Sequence, residues 1–370
     1  MKYLLIICIN IIFFVGCSNQ VNLEDEDFYS IITPIWKTDK MYEETCSFLG
    51  KNDFSVLLYE PKQVLSVTDY FGNNISDQEY EINNRCIFLK NNSSINYWEY
   101  EELYPKNPDN INVFKTVDDK YILFDENIPN THQIRITYKH DNIEECDFLN
   151  YQEEKNIIFK ELMNNLEEIN FLVFGDSISV GYGSSKFLNI PPFQLSYSEI
   201  VAEYLAKFYN KRVNFINLSK AGTNSKWAKT VDFSSEQVPN IAVIAFGMNE
   251  INNYIEEYES NIKMIIDNIR KINADSFIVL VSSMHPNLEV NYTHSNLVSF
   301  EEKLNEIAIN DDKIICANVT SASDWLYKHK KRFIDFGSNN KNHPNDFMHR
   351  IYAQVILYTL FGESYWNEIH

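Results

Sequence analysis

Four residues stand at separated points of the chain where an apolar run gives way to small or polar residues. They are Ser177 in GDSISVGYG, Gly222 in SKAGTNS, Asn249 in GMNE and His343 in NNKNHPND. Acyl transfer needs groups of these kinds: a nucleophile, a base that takes its proton, and donors that hold the tetrahedral oxyanion. Ser177 is the candidate nucleophile and His343 the candidate base. The backbone N–H groups of Ser177 and Gly222, with the Asn249 side-chain amide, are the candidate oxyanion donors. Each residue also has a plainer use. Ser177 can cap a helix on a buried turn, Gly222 can be a turn glycine, Asn249 can cap the helix that begins near Asn252, and His343-Pro344 can anchor a loop. His285, in SSMHPN, also stands at a strand end, as a pocket residue or a rival base. Asp346 is expected to cap the last helix, and His349 to lie on that helix, facing solvent or packing.

The elements that must position these groups follow from the apolar pattern. From Phe171 onward, FLVF, VNFINL, IAVIAF, FIVLVSS and KIICANV read as strands. Between and after them, SYSEIVAEYLAKFYN, YIEEYESNIKMIIDNIRKI, LVSFEEKLNEIAI and DFMHRIYAQVILYTLF carry helical spacing, the first capped by Ser196 or Ser198. This alternation predicts an α/β fold with a five-stranded parallel sheet and right-handed crossovers. Such sheets bind ligands at the carboxyl ends of their strands, where Ser177, Gly222 and Asn249 fall, with His343 on a long loop before the closing helix. Ahead of it, from about Phe28 to His140, FSVLLYE, QVLSVTDYF, YEI, CIFL, YILF and QIRITYKH are short and β-branched or aromatic, with FGNN and DEN as turns. They predict a smaller antiparallel β-sandwich domain over 28–150. A linker over 151–168 follows, with helical spacing from Asn156 to Leu166, and then the α/β domain over 169–370.

Ser177, Gly222, Asn249 and His343, in this order and each just past its strand, resemble the SGNH or GDSL-type hydrolase family over roughly Phe171 to Phe361. The resemblance implies a three-layer hydrolase domain. The two-part layout resembles exported carbohydrate esterases of that family that carry an N-terminal β-sandwich. What the resemblance implies is a serine esterase that removes short O-acyl groups, foremost acetyl, from carbohydrate through an acyl-enzyme, with no cofactor and no metal. One position departs from the family pattern. The family usually has Asp three residues before the histidine, and here that position is Asn340. An amide cannot stabilise an imidazolium as a carboxylate does. Some carbohydrate esterases of the family work with a Ser–His dyad, a backbone carbonyl holding the imidazole N–H. The resemblance allows that arrangement here; Asp335 is the alternative acid, and the choice stays open at this point. Two other functions stay open: a lipase or thioesterase type of acyl hydrolase, and an inactive carbohydrate-binding lipoprotein. GYGSS, TNSKW and GMNEINNY surround the site with polar and aromatic groups, which suit sugar hydroxyls better than an acyl chain.

The chain begins MKYLLIICINIIFFVGCSNQ. Its apolar run, Tyr3 to Val15, is shorter than the roughly 20 residues a spanning helix needs. A basic start, a short apolar core and Gly16-Cys17 read as a bacterial lipoprotein signal over 1–17, lipidated at Cys17, with a polar tether over 18–27. An exported, membrane-anchored protein is expected. The 370 residues include 52 acidic and 32 basic side chains, a net charge of −20. That balance argues against nucleic acid and against charge-driven binding to anionic membranes. The expected partners are an acylated carbohydrate and a membrane reached through the lipid alone. Of the cysteines, Cys46, Cys86, Cys146 and Cys316 lie beyond the signal; they make no CxxC pair or Cys/His cluster for zinc. One bridge among the first three and free buried thiols are equally compatible with their spacing.

Overall fold

In the computed structural model, the residues described are 25–109, 111–231, 233, 238–250, 254–291, 296–363 and 365–367. Cys17 and the rest of 1–24 lie outside them, as does Asn252. The N-terminal strands all pair antiparallel. One sheet has the order β1-β8-β3, formed by β1 (Lys40–Ser47), β3 (Gln63–Thr68) and β8 (Gln133–Lys139). A second has the order β2-β5-β4, from β2 (Phe54–Val56), β4 (Tyr80–Asn83) and β5 (Cys86–Leu89). A hairpin joins β6 (Val113–Lys115) to β7 (Tyr121–Leu123). Strand β1 escapes a pattern-based reading because KMYEETCS carries two glutamates, yet Glu44 is fully buried on it. The compensation comes from far along the chain. Lys331 Nζ lies 2.9 Å from Glu44 Oε1, both side chains being fully buried, and the Tyr138 hydroxyl donates to Glu44 Oε2 at 2.6 Å.

The sheet of the C-terminal part is wholly parallel, in the order β10-β9-β11-β12-β13: β9 (Ile169–Gly175), β10 (Val213–Asn217), β11 (Ile241–Ala245), β12 (Phe277–Val281) and β13 (Ile314–Ala317). Strand side chains alternate between faces, and here the alternation sorts them into two cores. Phe171, Val173, Val243 and Val279 point to one core; Leu172, Phe174, Ile244 and Leu280 point to the other. Helices Tyr197–Tyr209 and Asp346–Phe361 cover the first face, Ile255–Ile272 and Leu297–Ile309 the second. The expected α/β fold, a five-stranded parallel sheet behind an antiparallel β part, is the fold observed.

The first core does not stop at the sheet. It continues through the closing helix into Trp36, Met41, Phe48, Leu57, Ile134 and Tyr138 of the N-terminal part. Every residue of Asp346–Phe361 is buried as a result, since the helix has packed neighbours on both sides.

Several local expectations need correction. Helix Glu153–Asn164 starts three residues earlier than its apolar spacing suggested. The stretch before His343, read as a long loop, contains helix Val319–Lys328. The cap of the closing helix is Asn345, whose side chain accepts from Met348 N at 3.2 Å; Asp346 accepts from Ser185 N at 2.7 Å instead. Cys46, Cys86, Cys146 and Cys316 are all free thiols.

Candidate active site

Strand β9 ends on Gly175 because nothing larger fits. A Cβ there would lie 2.5 Å from the Ala245 carbonyl oxygen and 2.3 Å from Ser179 Oγ. Asp176 then caps the short turn Ser177–Val180, its side chain accepting from Ile178 N at 3.0 Å. Ser177 is the first residue of that turn, where a backbone N–H has no partner within the turn. Asp176 is buried, and burial pushes its carboxyl up to about 7.

His343 meets Ser177 across the rim. Its Nε2 lies 2.9 Å from Ser177 Oγ, and its ring centroid is 5.1 Å from that of Tyr182. The loop that carries it is built around Asn339, whose side-chain oxygen accepts from the N–H groups of Lys341, Asn342 and His343 at 3.1, 2.9 and 3.0 Å. An antiparallel bridge between Gly337 and Pro344 closes the loop, with Ser338 N donating to His343 O at 2.9 Å. Gly183 lets the nucleophile turn approach. It has φ +87°, and a Cβ on it would fall 1.9 Å from the Pro344 carbonyl oxygen.

The other nitrogen of His343 is where expectation and structure part. Nδ1 faces neither a backbone carbonyl nor Asp335. It lies 2.9 Å from Oε2 of Glu126, which follows β7 in the N-terminal part. With a carboxylate at Nδ1 the proton sits there, and Nε2 is left to accept from Ser177. Asp335 is fully buried at the junction of the two parts. Its Oδ1 accepts from Ser47 N at 2.9 Å and Ser55 Oγ at 3.0 Å, and its Oδ2 from Arg332 N at 2.8 Å. Its carboxylate serves structure. Glu126 stands in FDENIPN, a stretch that reads as a turn, 217 positions before His343. No spacing rule links the two; the charge at the edge of a turn was the only available sign.

The loops of the expected oxyanion donors reach the same rim. Gly175 pairs with Ala245 of β11, and Lys220 N donates to Gly175 O at 3.1 Å, which sets Gly222 and Asn249 on loops flanking the nucleophile turn. Gly222 has φ +73° and open space where a Cβ would be. Asn249 Nδ2 donates to Thr223 O at 3.0 Å, tying the two loops together while its amide keeps a second hydrogen. His285 is buried, with its Nε2 2.9 Å from Asp324 Oδ1 but neither ring nitrogen in hydrogen-bond geometry. His349 is fully buried, accepting from Tyr197 N at Nδ1 (3.3 Å), with Nε2 3.0 Å from Tyr182 O. Among the described residues, no three His, Cys, Asp or Glu side chains are grouped to hold a metal ion.

Comparison with solved structures finds similar folds at low identity. A two-domain esterase active on acetylated mannans is 18% identical, with a TM-score of 0.44, over 59% of this chain and 56% of that one. The chain thus matches just over half of that protein's length. An acetylxylan esterase from Geobacillus stearothermophilus is 17% identical, with a TM-score of 0.43, over 54% of this chain and 95% of that one. A lipase from a goat rumen metagenome is 14% identical, with a TM-score of 0.42, over 53% and 99%. No curated protein matches the chain. Residues 173–351 match the family described as GDSL-like Lipase/Acylhydrolase, a span that holds Ser177, Gly222, Asn249 and His343. Residues 173–351 of this chain form a GDSL-like lipase/acylhydrolase domain.

Proposed function

We propose that the protein is a serine esterase that releases short acyl groups, foremost acetyl, from the hydroxyls of carbohydrate. The observation that carries this reading is the 2.9 Å contact between Ser177 Oγ and His343 Nε2 at the sheet rim of an acylhydrolase domain. Ser177 Oγ attacks the acyl carbonyl as His343 takes its proton at Nε2. The N–H groups of Ser177 and Gly222 and the Asn249 amide hold the oxyanion. His343 then returns the proton to the departing sugar oxygen, leaving an acyl-serine, and activates the water that releases the acid. Loss of one oxyanion donor costs roughly 3–4 kcal/mol in the barrier. Carbohydrate as the alcohol is supported by the polar and aromatic residues of GYGSS and TNSKW beside Ser177 and Gly222, with the Tyr182 ring centroid 5.1 Å from that of His343.

Ser177→Ala is expected to abolish hydrolysis of 4-nitrophenyl acetate with an unchanged melting temperature, and undiminished turnover would overturn the reading. Export and anchoring rest on the sequence around Cys17 alone. Their check is membrane partitioning, which Cys17→Ser should abolish.

A further inference from the structure

We propose that Glu126 is the positioning acid of His343, so that the catalytic site is divided between the two parts of the chain and is complete only while they are docked. This rests on the esterase reading above. The geometry is direct, Glu126 Oε2 lying 2.9 Å from His343 Nδ1. The second carboxylate oxygen is held as well, Asn339 Nδ2 donating to Glu126 Oε1 at 3.2 Å. Because Asn339 also accepts from the amides of the His343 loop, one side chain fixes acid and imidazole relative to each other. The acid stands on a built turn. Asp125 Oδ1 accepts from the N–H groups of Asn127 and Ile128 at 2.7 and 2.8 Å, at the entry to the short helix Ile128–Thr131.

Asn340 explains why the acid is found elsewhere. At the position where a carboxylate is usual, its amide Nδ2 reaches across to Leu123 O at 3.1 Å, at the end of β7 and three residues ahead of Glu126. The backbone carbonyl of Asn340 accepts from Asn287 Nδ2 at 2.8 Å. An aspartate at 340 would set an ionised acceptor against the Leu123 carbonyl and loosen the segment that carries Glu126. The donor at 340 and the acid at 126 are one arrangement. Asp335 cannot replace Glu126, since its carboxylate already takes two donors from β1 and β2 and a third from Arg332.

The test uses the full chain and 4-nitrophenyl acetate. Glu126→Gln should lower kcat about a hundred- to ten-thousand-fold, because the imidazolium formed in the transition state loses its counter-charge. KM and melting temperature should stay near wild type. Glu126→Asp should recover part of the rate, and added formate should restore turnover to Glu126→Ala but not to Ser177→Ala. A purely structural Glu126 would show neither rescue. Wild-type turnover with Glu126→Gln equally fast would overturn this proposal and leave the esterase reading standing. A loss in Glu126→Gln accompanied by a fallen melting temperature, with no formate rescue in Glu126→Ala, would overturn it too. A wild-type chain inert toward esters would remove the reading on which it rests.

Discussion

Gly183 carries more of the site than its size suggests. It sits at φ +87°, where a side chain is strained, and its Cα faces the carbonyl of Pro344, the residue after His343. A methyl group there must push back the backbone that holds the imidazole, because the obstacle is a peptide oxygen and not the end of a flexible side chain. Gly183→Ala should therefore cost at least about 2 kcal/mol of stability. It should also lower kcat more than it changes KM; a variant with wild-type melting temperature and turnover would show that the two loops do not constrain each other. At this scale the sequence was legible where chemistry was local to a strand end. Ser177 could be read there, whereas His343 and the absence of an acid at Asn340 were read from the loop just before the closing helix. Glu126 could not, because it reaches His343 through tertiary docking and not through a repeatable spacing. The same limit applied to Asp335, whose proximity in sequence to His343 says nothing of the Ser47 and Ser55 donors that claim it.

The closing helix connects the site to the core. His349, one turn into it, accepts from Tyr197 N at Nδ1, and its Nε2–H donates to Tyr182 O, two residues past the nucleophile turn. Protonation would place a second N–H against the Tyr197 amide in a buried setting, and burial pushes the histidine down to about 4. The sign follows from linkage. A folded value depressed from an ordinary 6.5 means stability that is present above pH 6.5 and lost as pH falls through about 4. The full effect is on the order of 3 kcal/mol. His349→Gln keeps a donor toward Tyr182 O but cannot titrate. Its deficit in stability relative to wild type should shrink as denaturant melts are moved from pH 7 to pH 4, and a constant deficit would disprove the linkage. The bounds of this helix and of Leu297–Ile309 were legible residue for residue, since each apolar stripe runs unbroken between its ends. Strand β1 was not, because its pattern makes sense only once Lys331 neutralises Glu44. The short helix Ile128–Thr131 and the hairpin strand β6 are too brief for any periodicity to register.

Among the described residues, one core runs from the N-terminal sheets through the closing helix to the parallel sheet, and a second lies on the sheet's far face. A small third cluster packs Trp98, Leu103 and Ile122 of the N-terminal part against Val290 and Ile334. Shared burial of this kind predicts that both parts unfold in one transition. The free thiols offer a way to watch it. Cys46 lies on β1 and Cys316 on β13, both without solvent exposure. Burial pushes the Cys46 thiol up to about 12 and holds that of Cys316 well above its ordinary range. Only a thiolate reacts readily with alkylating reagents, so neither is reactive until its surroundings open. The two sulfurs are thus paired stopwatches, one set in each part of the chain and both started by the same event. Pulse alkylation read peptide by peptide should label Cys46 and Cys316 at one common rate under native conditions. Labelling of Cys46 far ahead of Cys316 would mean that the N-terminal sheets lift away on their own, carrying Glu126 with them and silencing an enzyme whose nucleophile is still in place.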